Sequence, residues 1–103
     1  MYLVHVHVQP PVHGVLLPSG TADAVAACGR DVTGVEHVVV HADTHPHPVI
    51  GVYISAATLK AAEETAVTLW HHTLHHHHWL HPWTLLRAEV PLIPIDADRP
   101  GMS

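Results

Sequence analysis

Residues 2–9 read Tyr-Leu-Val-His-Val-His-Val-Gln, with valine and histidine in strict alternation. An apolar side chain at every second position marks a strand that is buried on one face and open on the other. Pro10-Pro11 ends it, because proline has no amide to give to a ladder. The same period recurs three times. Residues 36–42 set Val38 and Val40 against His37, Val39 and His41, and residues 49–55 place Ile50, Val52 and Ile54 on one side. Residues 83–90 are expected to turn Leu86, Ala88 and Val90 toward the core. The turn chemistry of residues 43–48 is short, so the second and third strands are expected to form a hairpin.

Two helical segments separate these strands. A loop through Gly14, Pro18 and Gly20 leads to a short helix opening at Thr21-Ala22-Asp23, with Thr21 or Ser19 as N-cap and Gly29 or Gly34 at its end. Residues 58–78 form the long helix, with Leu59, Ala62, Ala66, Leu69, Trp70 and Leu74 as its apolar stripe. Pro82 forces a stop, since the residue before proline is biased away from helical angles. The order is therefore β-α-β-β-α-β. With right-handed crossovers it gives a four-stranded antiparallel sheet of order 4-1-3-2 with both helices on one face, the ferredoxin-like arrangement. Residues 1–92 make one α+β domain and 93–103 an extended tail. A chain of 103 residues with 48% hydrophobic and 13% charged side chains is long and apolar enough for one packed core. This architecture hosts unrelated activities, so function has to come from particular side chains.

Four basic against nine acidic side chains give a net charge of −5, the wrong balance for nucleic acid or an anionic membrane. No apolar run approaches the roughly 20 residues of a membrane span. The lone Cys28 excludes an internal disulfide, fits a cytoplasmic protein, and reads as a small buried hydrophobe. No motif for an organic cofactor is present.

Histidine is the anomaly: its 14 copies outnumber Lys, Arg, Asp and Glu together. With an unperturbed pKa near about 6.5, these rings reverse the net charge in mildly acid solution. The densest group lies at the end of the long helix. There His71 with His75, and His72 with His76, are four apart and share a face. His78 falls on the His71/His75 side and completes a possible three-imidazole site for Zn, Ni or Cu. Nothing acidic lies within the group to stand behind the rings. The plain alternative is that they offset the dipole at the helix C-terminus. A helix of about 31 Å overhangs strands of about 23 Å, so these rings are expected outside the core.

His5 and His7 form a second candidate pair on the open sheet face, with a third ligand from His37, His41, Glu89 or a partner chain. Half of that face is apolar, which points to a homodimer packed through it. A divalent-metal-binding homodimer is thus the first expectation. The main alternative is a cofactor-free enzyme of isomerase, cyclase or monooxygenase type. It would bind a small molecule in a cavity on the open face, with His5 or His7 as base, Tyr53 and Arg87 orienting an oxyanion, and Glu89 beside them. A third reading is a non-catalytic partner or regulatory subunit. His45 and His47, in a His-Pro-His-Pro turn, read as plain loop.

Overall fold

A computed structural model of the chain describes residues 1–42 and 47–91. Strand β1 spans Tyr2–Gln9, and Val4, Val6 and Val8 are all but sealed from solvent. Helix α1 (Thr21–Gly29) follows, then β2 (Val35–His41), β3 (Val49–Ile54), helix α2 (Leu59–His76), a short 3-10 turn (His78–Leu80) and β4 (Thr84–Glu89). The strands lie in the order β2-β3-β1-β4, which from the other edge is the expected 4-1-3-2. Every pairing is antiparallel, including the β2–β3 hairpin. One core cluster joins Val25 and Cys28 of α1, Ala62, Ala66, Leu69 and Trp70 of α2, and the Val/Ile faces of β1 and β3. Both helices therefore cover the same side of a ferredoxin-like sheet. Among the described residues no helix is long and apolar enough to cross a membrane.

Local chemistry moves several boundaries. Helix α1 is preceded by Gly20 at φ +93°, not capped by the Thr21 or Ser19 side chain. The buried Thr21 hydroxyl instead donates to the Pro18 carbonyl at 2.7 Å. Gly34, at φ +99°, lets the chain from α1 into β2 pass the Ser55 carbonyl, where a Cβ would stand only 2.9 Å from that oxygen. Thr58 caps α2 by accepting the Ala61 amide at 3.0 Å.

The apolar stripe of α2 is shifted toward its C-terminal end. Leu59 is 46% exposed, while Thr73 is fully buried and satisfies its hydroxyl on the Leu69 carbonyl at 2.8 Å. The helix stops at His76, ahead of Pro82, because His77 leaves helical angles at φ −134° and ψ 89°. That break lets the 3-10 turn carry Leu80, and then Trp83, into the core beside Trp70.

Leu86 is the clearest correction. A β-bulge in the β1–β4 ladder between His7 and Val8 places Leu85 opposite Val8, so Leu85 faces the core and Leu86 is left 41% exposed. Beyond the bulge the expected alternation resumes, with Ala88 inward and Arg87 and Glu89 on the open face. Residues 93–103, expected as an extended tail, and His45 lie outside the described residues.

Candidate functional site

Alternation puts the side chains of Leu3, His5 and His7 on the side of β1 away from the helices, and pairing places their neighbours in rows across the sheet. One row runs Glu89–His5–Gly51–Val39, the next Arg87–His7–Val49–His41, and the third Leu3–Tyr53–His37. Glycine at position 51 removes the side chain from the centre of this face. A Cβ there would lie 3.4 Å from Leu3 Cδ1 and 4.0 Å from His41 Nε2, so neighbouring side chains lean over the gap. Val49 is 5% exposed although it faces away from the core, with His7 and His41 paired to it on the two neighbouring strands.

His7 is the best connected of these rings. Its Nδ1 stands 2.9 Å from Nε2 of His47, on the segment leading into β3, and one N–H···N hydrogen bond joins them. Its Nε2 is buried 3.4 Å from Glu89 Oε2, within ion-pair reach but not aligned as a hydrogen bond. Arg87 Nε donates to the same carboxylate oxygen at 3.1 Å. The His5 ring lies 6.2 Å from that of His7 and 6.5 Å from that of His41.

The His7 side chain is 12% exposed, and burial is the main reason its pKa lies below the ordinary histidine value. Arg87, His47 and His5 add to the lowering, while Glu89 opposes it. His5 is lowered by burial and by His41, again against Glu89. The hydrogen bond and charge of Arg87 hold Glu89 below its usual range. Folding therefore favours neutral His5 and His7, which an unfolded chain would protonate as pH drops below about 6.5. Their contribution to stability is complete above that pH and is lost as pH falls through the lowered native values. Metal-free protein is expected to melt at a lower temperature at pH 5.5 than at pH 7.5, and an equal or higher Tm at pH 5.5 would contradict this.

The helix end is arranged differently. His71, His75, His76 and His78 are exposed, as the overhang implies. The trio His71, His75 and His78 needs a continuous helix, and α2 ends at His76. His78 instead lies with its ring 4.7 Å from His81, which donates through Nε2 to the Leu74 carbonyl at 2.7 Å and so satisfies a terminal carbonyl. His72 and His76 do meet, with ring centroids 4.4 Å apart. Asp31, just past α1, stands 3.3 Å from His72 Nε2 and supplies the carboxylate missing from the histidine run.

Among the described residues no three His, Cys, Asp or Glu side chains already converge as a metal centre. Tyr53 sits beside His37, at 5.8 Å between rings. The clefts among the described residues include one of about 240 Å³ between α1 and β2, and one of about 340 Å³ lined by Gln9, Pro10, Pro11, His13, His47 and Leu86. Neither is lined by His5 or Tyr53. His47, read from sequence as loop, is the functional candidate that reading missed, and only its proximity to β1 reveals it. No family model matches the chain, and no curated protein or solved structure matches it either.

Proposed function

We propose that the protein binds a divalent transition-metal ion on the open face of its sheet, through His7 Nδ1 and His47 Nε2, with Glu89 behind His7. The carrying observation is the 2.9 Å approach of these two imidazole nitrogens. Two nitrogens bound to one ion at about 2.0–2.1 Å in tetrahedral geometry stand about 3.3 Å apart. Replacing the shared proton by a cation therefore needs the nitrogens to separate by only a few tenths of an ångström, with both rings rotating so that their lone pairs point at one ion. Glu89 stands 3.4 Å from the other nitrogen of His7, and the small ring rotation that metal binding requires would let it accept that N–H, fixing the tautomer and making the ring a better ligand. Burial favours the neutral ring that a metal requires. Zn, Ni and Cu suit imidazole ligands. The exposed His72–His76 pair, with Asp31 beside His72, is the alternative location that the tests below distinguish from the open face.

The test is elemental analysis of untagged protein purified without a nickel or cobalt column and dialysed against a weak chelator. Zn, Ni or Cu in fixed stoichiometry to the chain is the expected result, and a content near zero overturns the reading.

A second reading shares the same residues. An imidazole held between a carboxylate and a second imidazole is also a proton relay, and the His47-lined cleft of about 340 Å³ has room for a small ligand. A cofactor-free acid–base enzyme is what a metal content near zero would favour, with His47 as the base that lines the cleft and His7 and Glu89 behind it.

A further inference from the structure

We propose that the metal ion is shared between two copies of this chain packed sheet face to sheet face, each contributing His7 and His47 to a four-nitrogen centre. This rests on the metal reading above and goes beyond it, because the described residues of one chain present half a site. A closed zinc centre takes four ligands, and here two imidazole nitrogens come within reach of one ion. Among the described residues no third His, Cys, Asp or Glu joins them. Both rings belong to the side of the sheet that no described helix covers. A two-fold axis through that side sets the same pair opposite itself and doubles the ligand count without any new residue.

Charge favours a second copy on this face. The chain carries −5 overall, yet in the rows across β1 Arg87 and Glu89 offset one another across 3.1 Å, and the other side chains there are imidazoles, the Tyr53 phenol and apolar groups. Two copies therefore meet with least repulsion through this side.

Area explains why the contact should need the ion. Four strands about 4.8 Å apart and about 20 Å long give a footprint near 400 Å² per copy, or about 800 Å² in all. Stable, specific interfaces bury about 1,200–2,000 Å². The face alone falls short, and the bonds to a shared cation supply the remainder.

The experiment is sedimentation of the full chain with and without Zn²⁺, together with a zinc titration that gives the stoichiometry. The expected result is a monomer of 11.2 kDa in chelator and a doubled mass with zinc, at one ion per two chains. His47→Ala, a loop substitution that spares the core, should stay monomeric with zinc, whereas His72→Ala should dimerise like the parent. One ion per chain on a monomer that loses it on His47→Ala would overturn sharing and leave the metal reading standing. A dimer that persists in chelator would overturn the bridge. Dimerisation lost in His72→Ala would move the bridge to the helix end and overturn this one. Absence of zinc binding would remove both readings.

Discussion

Replacing His7 by alanine is expected to weaken zinc binding by more than about 100-fold, since loss of a partner behind a ligand alone costs about 10–100-fold. The ring is the hub of the open face: one nitrogen meets His47 at 2.9 Å and the other meets Glu89 at 3.4 Å. Glu89→Gln keeps the shape but removes the charge, so it should fall within that smaller range. It should leave stability nearly unchanged, because its ion pair with Arg87 is about half-exposed on both sides. His71→Ala should leave high-affinity binding unaltered, as that ring is exposed on the far end of α2. Calorimetric titration of the three variants, with melting curves to confirm folding, orders these effects. A His71→Ala loss as large as that of His7→Ala would move the site back to the helix end.

The largest effect on stability is expected at Trp70. It heads the fully buried side chains by size, at 2% exposure, and packs in one cluster with Leu69, Leu80 and Trp83. Trp70→Ala should cost about 3–5 kcal/mol through lost transfer energy and an unfilled cavity. A domain of this size is stable by about 5–15 kcal/mol in total, so the variant should be poorly folded at 37 °C. Trp70→Phe should be far milder than the volume change alone implies. The indole N–H is buried without a hydrogen-bond partner among the described residues, and phenylalanine removes that unsatisfied donor. Denaturant unfolding of both variants measures the difference, and a Trp70→Ala cost under about 1.5 kcal/mol, the range of a conservative core swap, would contradict the packing argument.

The Val-His alternation of β1 was enough by itself to specify a strand, its buried face and the outward placement of His5 and His7, because a period of two leaves no other way to sort those side chains. The strand-helix alternation, with the handedness of its crossovers, was likewise enough for the sheet order. The long helix and its overhanging histidines were legible from spacing and from the difference in rise between helix and strand. Where that helix stops was not. Pro82 signals an end, but the earlier break at His77 follows from Leu80 and Trp83 seeking the core, a demand made by residues distant in sequence. The bulge that turns Leu86 outward is a matter of register between two strands, and no local pattern contains it. The site divides in the same way. Sequence placed His5 and His7 on one face with Glu89 and Arg87 near. Only tertiary structure brought His47 across 40 positions to His7, and Asp31 across 41 to His72. Periodicity sorts side chains by face, but which groups from separate elements meet is decided by packing, because a short hydrogen bond or ion pair needs its two partners held in register from both sides.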